Sequence, residues 1–281
     1  MNWVDVESLK SLVKSVILIS RADKSSMLVR KHLVEVLGFE PVAGEGREVL
    51  IGRGVSAVVV DSHHLYLTEE EILGLNSDLI VVASAHRSES GTKALTTHAT
   101  GNWTCDTNMG GRPRKLSHTL AGAIRAAYNS LKTRVEEDKG LSGWWVGLEA
   151  THHGPYSPIP LLYVEFGGPL EARTDERAAG AVAEACIEAC LAGPSKIAAI
   201  GVGGGHYAPT FTRLMERDEY DFGHILPKYS IPEGVELLGE AIDKTADGCS
   251  VAVIDWKGVQ GQYRGLVLDR LHQLGVEIFR E

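Results

Sequence analysis

The sequence predicts an α/β protein with a largely parallel or mixed sheet and helices on both faces. Short β-branched apolar runs bounded by glycine and polar residues are typical of buried strands. Along this chain they alternate with segments whose apolar residues recur at helical spacing. The 281 residues, 44% of them hydrophobic, are enough to bury a substantial core. Such alternation favours parallel pairing, because each helix carries the chain back across the sheet.

The first part of the chain gives strands over residues 16–19, 55–60 and 79–83. A helix between the first two begins near Asp23 or Ser25 and ends at Gly38. Thr68 followed by three glutamates predicts the start of a short helix, because a threonine cap and acids in the first turn stabilise helix starts. Residues 84–115 show little periodicity. We interpret them as a long polar insertion within a single domain that covers residues 1–281.

The second part continues the alternation. A helix begins near Ser117 and closes at Gly140, and strands follow near residues 142–148 and 161–166. A strong helix starts at Thr174 and is ended by Gly193 and Pro194. The remaining predicted elements are a strand over 197–202, short helices near 211–217 and 235–241, a strand over 251–255, a helix from about 260 to 274 and a short terminal strand.

Composition restricts the classes of function. The net charge of −9 argues against indiscriminate nucleic-acid binding, and we expect no DNA partner. The chain has no apolar run near the roughly 18 residues of a membrane span, and its first residues lack the basic region of a signal peptide. Its four cysteines suggest no disulfide framework, so we expect a cytoplasmic protein. We also expect a monomer with no membrane partner.

Three apolar runs each end in a polar segment that contains histidine. Residues 79–83 lead to His86, residues 144–148 lead to His152 and His153, and residues 197–200 lead to His206. Ligands of open α/β sheets bind just beyond the carboxyl ends of strands. The pattern therefore indicates an enzyme, although a single histidine is more often structural or merely exposed.

Six of the eleven histidines lie in segments that we expect to be loops, namely His86, His98, His152, His153, His206 and His224. Neutral imidazole is the commonest transition-metal ligand, and it also titrates near neutral pH. A metal set would have to come from distant segments, such as His86, His98, one of His152 or His153, and His206. Adjacent histidines in an extended loop would point in opposite directions. Glu149 and Glu165 could add a carboxylate ligand or a general base.

Two other features permit weaker interpretations. The glycines Gly203, Gly204 and Gly205 match neither a dinucleotide fingerprint nor a Walker loop, but their N–H groups could face an oxyanion. They could equally form a tight turn. Ser88 and Ser90 lie close to His86 in the sequence, which suggests a serine as the catalytic nucleophile. The Gly-x-Ser-x-Gly elbow of such enzymes is absent, however.

Five motifs occur together and in one order, and they resemble the archaeal- and plant-type D-aminoacyl-tRNA deacylase family. The likeness runs from about Val16 to Asp255. Its motifs are His86-Arg87-Ser88-Glu89-Ser90-Gly91, Leu95-Thr96-Thr97-His98-Ala99-Thr100-Gly101-Asn102, Gly147-Leu148-Glu149-Ala150-Thr151-His152-His153-Gly154-Pro155, Gly203-Gly204-Gly205-His206-Tyr207-Ala208-Pro209 and Gly223-His224-Ile225-Leu226-Pro227-Lys228-Tyr229.

The resemblance implies a zinc-dependent cytoplasmic enzyme that hydrolyses the ester between a D-amino acid and the terminal ribose of tRNA, a form of chiral proofreading. It implies a three-layer α/β/α sandwich of the phosphorylase/peptidyl-tRNA hydrolase type. The aminoacyl-tRNA acceptor end would be the partner, and zinc the cofactor.

On this hypothesis the candidate residues fall into three groups. The catalytic residues would be His98, Glu149, His152 and His153, and the metal ligands would be His86, His98, His152 and His206. Substrate would be bound by Ser88, Ser90, Thr100, Thr151, Gly203, Gly204, Gly205, Tyr207, His224 and Lys228, and by the basic cluster of Arg112, Arg114 and Lys115. On its own, that basic cluster could also be solvated surface.

Alternative functions follow from the same residues. A metal-dependent peptidase or amidohydrolase on a similar fold would use the same histidines on small amides. A non-catalytic nucleic-acid or nucleoside-binding protein would bind without turnover, and a nucleoside phosphorylase is suggested only by analogy of fold.

Overall fold

The computed structural model describes residues 15–42, 46–88 and 91–281. Its strands are β1 (Ser15–Ser20), β2 (Glu40–Val42), β3 (Glu48–Gly52), β4 (Val55–Val60), β5 (Leu79–Arg87), β6 (Ala94–Ala99), β7 (Gly101–Asn102), β8 (Lys115–Leu116), β9 (Trp145–Leu148), β10 (Leu161–Gly168), β11 (Ala198–Val202), β12 (Asp221–Leu226), β13 (Val251–Ile254) and β14 (Glu277–Arg280). Its α-helices are α1 (Lys24–Glu35), α2 (Glu69–Leu73), α3 (Ala121–Glu137), α4 (Glu176–Leu191), α5 (Pro209–Glu216), α6 (Leu238–Lys244) and α7 (Arg264–Leu274).

A large mixed sheet has the strand order β2-β3-β4-β1-β5-β10-β6-β9. Its central strands β4, β1, β5 and β10 are parallel, whereas β6 runs antiparallel to β10 and β3 antiparallel to β4. A second sheet of order β12-β11-β13-β14 is parallel throughout. The predicted α/β class with a mostly parallel mixed sheet is confirmed.

The two faces of the large sheet bury different residues, because successive side chains of a strand point to opposite faces. One face carries Ile17, Ile19 and Val81 into a core with residues of α1, α3 and α4. The other face carries Leu18 and Val82 into a smaller core closed by α2 and the turn before it. The sheet is therefore covered on both sides, by three long helices on one face and by a short helical segment on the other.

The second sheet packs against the first through a shared core. Phe211 of α5 and Phe222 and Ile225 of β12 belong to the same buried cluster as the main helical layer. A separate cluster lies between the second sheet and α6 and α7. This packing fixes the loop after β11 beside the end of β9, where the candidate site lies.

Most predicted elements lie where the sequence places them. The strands expected over 16–19, 55–60, 79–83 and 161–166 all lie within β1, β4, β5 and β10. Asp23 caps α1 by accepting a hydrogen bond from the Ser25 N–H. The third helix begins at Ala121 rather than near Ser117. Strands β2, β3 and β12 were not predicted.

The interpretation of residues 84–115 as an insertion needs correction. Strand β6 lies inside this stretch and pairs with both β10 and β9. All six of its residues are buried, including Thr96, Thr97 and His98. Polar residues that face the interior hide the hydrophobic alternation on which the prediction depended. Residues 84–87 belong to β5, and the longest irregular part of this stretch that the structure describes lies between β7 and β8.

The start of α2 is a capping box. The Glu71 N–H donates to the Thr68 hydroxyl, and the Thr68 N–H donates to the Glu71 carboxylate. We expect Thr68→Ala to lower the free energy of unfolding by about 1 kcal/mol, measured by urea denaturation. Thr133→Ala, at an exposed position within α3, is the control and should change it by less than about 0.5 kcal/mol. Equal losses in both variants would contradict a specific role of the cap.

No helix in the described ranges is long and apolar enough to cross a membrane. Cys105, Cys186, Cys190 and Cys249 are free thiols.

Candidate active site

One face of the large sheet changes from apolar to polar along its strands. On β5, Val82 is followed on the same face by Ser84 and His86. On β10, Tyr163 is followed by Glu165, which lies directly beside Ser84 in the parallel pairing. These polar side chains are buried. Burial of polar groups is costly unless they are paired, so their concentration on one patch of the sheet marks a candidate functional site.

Strand β6 adds an imidazole to this patch. It runs antiparallel to β10 and places His98 directly opposite Tyr163. The two rings are stacked, with centroids 5.3 Å apart and planes 17° apart. The Nε2 atom of His98 lies 3.8 Å from an oxygen of Glu165. His98 thus lies within a strand rather than in the loop that we expected.

The loop after β9 brings a second group of polar residues to the patch. Its backbone is tied to the turn after β11, because the Ala150 N–H donates to the His206 carbonyl at 2.8 Å. The Ala208 N–H donates to the Leu148 carbonyl at 3.0 Å. These two bonds hold residues 149–153 against residues 206–208, although they are separated by more than fifty positions in the sequence.

The adjacent histidines of this loop both reach the cluster. The rings of His152 and His153 lie 4.2 Å apart, and they lie 4.2 and 5.0 Å from the ring of His98. The prediction that they point in opposite directions is wrong. It assumed extended backbone, whereas His153 has a φ of 41° in the left-handed region, which turns the chain between the two side chains.

The three clustered imidazoles share one orientation. In each ring Nδ1 donates to a backbone carbonyl, which lies at 3.1 Å for His98, 2.8 Å for His152 and 2.7 Å for His153. A carbonyl can only accept, so the proton of the neutral ring lies on Nδ1 and the lone pair on Nε2. Outer hydrogen bonds of this kind orient metal-bound histidines and fix their tautomer.

Glu149 lies at the centre of the cluster and is fully buried. One carboxylate oxygen lies 3.0 Å from Nδ1 of His86. The other lies 2.8 Å from Nε2 of His206 and 3.7 Å from Nε2 of His152. Burial would raise the pKa of Glu149, but the His206 and His86 imidazoles hold it well below its usual value. Glu149 is therefore an anion in contact with three rings.

Glu165 is the second buried carboxylate. It accepts a hydrogen bond from the Ser84 hydroxyl at 2.6 Å and lies 3.6 Å from Nδ1 of His86. On the opposite side of the ring, Nε2 of His86 lies 2.8 Å from the Tyr207 hydroxyl. Burial alone would lower the pKa of His86, but hydrogen bonds with Glu149 and Glu165 raise it to about 11.

The clustered histidines differ in charge. Burial lowers the pKa of His153 to about 3, and burial together with the His153 and His98 rings lowers that of His152 well below its usual value. His86, in contrast, is held as a cation by two carboxylates. Burial alone would lower the pKa of His98, but its contact with the Glu165 carboxylate raises it. Neutral imidazole is the form that binds metals, and His152 and His153 are held in that form.

The donor atoms fit a metal ion. Three groups each have their ligand atoms within 4.8 Å of one another, namely His98 with His152 and His153, Glu149 with His152 and His206, and His86 with Glu149 and Glu165. Nε2 of His98 and both oxygens of Glu149 are buried without a well-aligned hydrogen bond. A cation bound among them would satisfy these atoms, which otherwise carry a desolvation cost.

The cluster opens into a cavity of about 190 Å³, which we call the first cavity. Its wall includes a network that the sequence analysis missed. Nε2 of His64 lies 3.1 Å from a carboxylate oxygen of Asp23, and its Nδ1 lies 3.0 Å from the Tyr163 hydroxyl. Asp23 also accepts a hydrogen bond from the Ala85 N–H. The sequence signal was limited to Asp23 as a helix cap. The first cavity is lined by Asp23, His63, His64, Leu65, Ser84, Ala85, His86, Arg87, Met109, Glu149, His152, His153, Glu165 and His206.

The structure thus brings together every residue proposed as catalytic or as a metal ligand, namely His86, His98, Glu149, His152, His153 and His206. The sequence analysis named Glu165 as a possible carboxylate ligand or general base, and the structure places it between His86 and His98. Its signal was a single acid within the apolar run of residues 161–166. Tyr207, expected to bind substrate, lies against His86.

Two predicted substrate contacts belong to the scaffold instead. Thr100 is fully buried, and its hydroxyl oxygen lies 2.9 Å from the Ser117 hydroxyl and 3.2 Å from the Pro155 carbonyl oxygen. His224 is also fully buried, with Nδ1 3.2 Å from the Thr151 hydroxyl and Nε2 3.0 Å from the Ser117 carbonyl. Burial lowers its pKa to about 3. Their side chains hold the Thr151 loop in place and cannot touch a substrate.

The glycine turn after β11 also needs a correction. The Gly203 N–H donates to the Leu226 carbonyl at 2.8 Å, so it is not available to an oxyanion. Gly203 has a φ of 107°, and a side chain there would meet the Asp255 carbonyl. At this position the tight-turn interpretation is the correct one. The N–H groups of Gly204 and Gly205 remain predicted donors.

The basic residues lie on and near the loop from β7 to β8. Arg112 pairs with Glu69 and Lys115 with Glu240, while Arg114 donates to the Glu233 carbonyl. Lys228 is exposed, and its N–H donates to the Gly204 carbonyl. Ser88 is half-buried after β5, and Ser90 lies outside the described residues.

Comparison with known proteins gives consistent results. Residues 73–279, well over half of the chain, match the family model of D-aminoacyl-tRNA deacylase. The curated D-aminoacyl-tRNA deacylase of Thermococcus kodakarensis is 34% identical over 277 residues, covering 95% of this chain and 99% of that protein. The one from Pyrococcus horikoshii is 33% identical with the same coverage. Among solved structures, a conserved protein of unknown function (AF0625) matches with a TM-score of 0.83 and 26% identity, over 95% of this chain and 94% of that one.

Proposed function

The chain belongs to the D-aminoacyl-tRNA deacylase family, and we propose that the cluster around Glu149 is where it hydrolyses the ester between a D-amino acid and the terminal ribose of tRNA. The family membership confirms the resemblance carried by the five sequence motifs. One observation supports the location above all. Four imidazoles (His86, His152, His153 and His206) and two carboxylates (Glu149 and Glu165) from β5, β10 and two loops line one cavity, and His98 of β6 shares a donor group with two of those imidazoles.

We propose that His98, His152 and His153 hold a zinc ion. Each ring offers a ligand nitrogen within 4.8 Å of the others, and their Nδ1 atoms are tied to carbonyls. Imidazole donors favour zinc over hard cations. Bound zinc would supply a Lewis acid and a water of pKa near 7. Beside the three rings, Glu149 contacts His152, His206 and His86.

Glu149 is the proposed general base. Its carboxylate is buried, charged and within 3.7 Å of Nε2 of His152, so it faces the same space as the imidazole cluster. His206 lies 2.8 Å from the Glu149 carboxylate on the side that is more exposed, and its ring could carry the proton onward toward solvent.

Tyr207 is the proposed hydrogen-bond donor to the ester. Its hydroxyl is fixed 2.8 Å from Nε2 of His86, and its ring packs edge-on against Trp145 at 5.0 Å. When His86 donates from Nε2, the hydrogen of the Tyr207 hydroxyl is left to point toward the substrate. A donor held in this way stabilises charge that develops on a carbonyl oxygen.

Selection of the D-amino acid rests on shape. The first cavity is small, about 190 Å³, and Leu65 and Met109 form its apolar wall. We propose that this wall rejects an L side chain by steric overlap once the ester carbonyl is in place.

The direct test of function is deacylation of matched D-Tyr-tRNA and L-Tyr-tRNA, with a D-Tyr dipeptide as a third substrate. We expect hydrolysis of the D-ester alone. Hydrolysis of the dipeptide with no action on either tRNA would support the peptidase alternative. Equal hydrolysis of both tRNAs would contradict chiral selection.

Contacts with tRNA are assigned to Lys228, Arg112, Arg114 and Lys115, which could meet backbone phosphates without reading sequence. We expect Lys228→Ala to raise KM for D-Tyr-tRNA. It should also lower the slope of log KM against log salt by about 0.7–0.9, as expected for the loss of one phosphate contact. The control is Lys196→Ala, at the opposite end of β11, which should leave both quantities unchanged. An unaltered slope in Lys228→Ala would place this lysine outside the tRNA path.

Two properties of the whole protein follow as proposals. A monomer is the proposed state of assembly. Four free thiols and a tRNA substrate support a cytoplasmic location.

A further inference from the structure

A second cavity, of about 210 Å³, adjoins the first. The two cavities share three lining residues, His152, His153 and Met109. The clustered histidines therefore form a partition with one chamber on each side. The other residues that line the second cavity are Gly101, Asn102, Trp103, Thr104, Asp106, Thr151, Tyr229 and Ser230.

Tyr229 presents an open aromatic surface to the second cavity. Its side chain is 58% exposed, which is unusual for a large ring at the wall of a polar site. Its hydroxyl lies 3.2 Å from Nδ1 of His206, so one end of the ring is tied to the histidine cluster. The ring is thus held in position while its face stays available to a planar group.

The remaining walls of the second cavity are built into the fold. Trp103 is buried and donates from its indole N–H to the Thr151 carbonyl at 3.1 Å. The Asn102 amide donates to the Gly110 carbonyl at 2.8 Å, which fixes the far side of the loop. Asp106 and Ser230 add polar groups at the edge of the cavity.

The charge at the rim of the second cavity differs from that of the first. The Arg114 N–H donates to the Thr104 carbonyl at 2.8 Å, and Lys228 is the neighbour of Tyr229 in the chain. Among the described residues, neither Arg114 nor Lys228 has a carboxylate within ion-pair distance, whereas Arg112 and Lys115 both have one. Arg114 and Lys228 thus lie next to residues that line the second cavity, whose lining also includes the Asp106 carboxylate. The first cavity is lined by three carboxylates, Asp23, Glu149 and Glu165, together with Arg87 and His86.

We propose that the second cavity is the subsite for the terminal adenosine of tRNA, with its base stacked on Tyr229. This inference rests on the proposed function. An ester cleaved at the His152–His153 partition joins two groups, and each needs a chamber on its own side. The aromatic ring suits a base and the neighbouring cations Arg114 and Lys228 suit its 5′ phosphate, whereas the three carboxylates of the first cavity suit an aminoacyl group that carries an ammonium.

Two small esters test the assignment without the rest of tRNA. They are the 3′-O-D-tyrosyl ester of adenosine and D-tyrosine ethyl ester, which differ in the adenosine alone. We expect Tyr229→Leu to lower kcat/KM for the adenosine ester by about 5- to 100-fold, the range expected for the loss of one stacked base. The same variant should change kcat/KM for the ethyl ester by less than about 2-fold.

Tyr229→Phe separates stacking from the contact with His206. It keeps the ring and removes the hydroxyl, so it should retain most of the preference for the adenosine ester. Tyr220→Leu, at the opposite end of β12, is the control and should affect neither substrate. Equal losses on both esters in Tyr229→Leu would show that Tyr229 only positions His206, and would overturn the proposal. So would a Tyr229→Leu variant that keeps full activity on the adenosine ester.

Binding of 5′-AMP gives a readout that does not need turnover. We expect calorimetry to detect AMP binding to the wild-type protein and a loss of about 5- to 100-fold in affinity in Tyr229→Leu. If no ester were cleaved but this pattern held, the proposed function would fail while the adenosine subsite stood. If D-Tyr-tRNA were cleaved but AMP binding did not respond to Tyr229, the subsite alone would be wrong.

Discussion

Replacing Glu149 with glutamine should lower kcat for D-Tyr-tRNA by about 10²- to 10⁴-fold, the usual contribution of a positioned general base. Glutamine keeps the shape of the side chain among the three imidazoles but cannot accept the proton. The measurement is single-turnover deacylation at saturating enzyme. Glu188→Gln, an exposed position on α4, is the matched control and should retain wild-type rates.

The same variant separates two roles of Glu149. If it transfers a proton, Glu149→Gln should keep the zinc content of the wild-type protein while kcat falls. If it mainly holds metal, zinc content should fall together with kcat. A variant that folds normally and deacylates at the wild-type rate would remove Glu149 from the mechanism.

Replacing any one of His98, His152 and His153 with alanine should weaken zinc binding by more than about 100-fold. Loss of an outer hydrogen-bond partner of a ligand typically costs about 10- to 100-fold in metal affinity, and loss of a ligand should cost more. Competition with a chelating dye would measure the affinities. His272→Ala, an exposed histidine on α7, should bind zinc like the wild type.

Zinc should also stabilise the fold. Zinc at about 1,000 times its dissociation constant would add about 4 kcal/mol to the free energy of unfolding. At about 2–4 °C per kcal/mol for a chain near this size, Tm should rise by roughly 10 °C. At the same zinc concentration a 100-fold weaker site would keep about a third of this stabilisation, so the rise should shrink to about a third or less in His98→Ala and persist in His272→Ala. A wild-type protein with no change of Tm and no measurable affinity would contradict the assignment of these three histidines.

Sequence reasoning located the site because three of its histidines come soon after apolar runs, although His86 and His98 lie within β5 and β6 rather than in loops. His86, His152 and His206 could be chosen because each comes soon after an apolar run, and parallel strands bring such positions to one edge. The order of strands in the sheet could not be read in this way. It depends on which apolar faces fit together across long separations, as in the pairing of β5 with β10.

Side-chain direction was the main quantity that the sequence could not supply. His224 carries the same signal as His206, a glycine followed by histidine, yet its ring faces the Thr151 scaffold. His153 joins the cluster only because its backbone is left-handed. Histidine adopts this conformation more often than most residues do, but a preference of that size does not predict it at one given position. The strand β6 was hidden because Thr96 and His98 are polar and buried.

Fold and site were unequally predictable for a physical reason. Burial of apolar surface depends on composition and period, which the sequence shows directly. A catalytic cluster departs from this pattern, because it buries polar groups such as Glu149 and Glu165 at positions where the pattern predicts apolar residues. The lone acid within the 161–166 run was the visible trace of this conflict.

The most direct test is whether ester hydrolysis at this cluster needs a metal ion. D-Tyr-tRNA deacylation would be measured on protein treated with a chelator, and again after zinc is added back, for the wild type and for His98→Ala. We expect activity to be lost with the chelator and restored by zinc in the wild type, with no restoration in His98→Ala. Full activity in chelator-treated, metal-free protein would contradict the proposed centre.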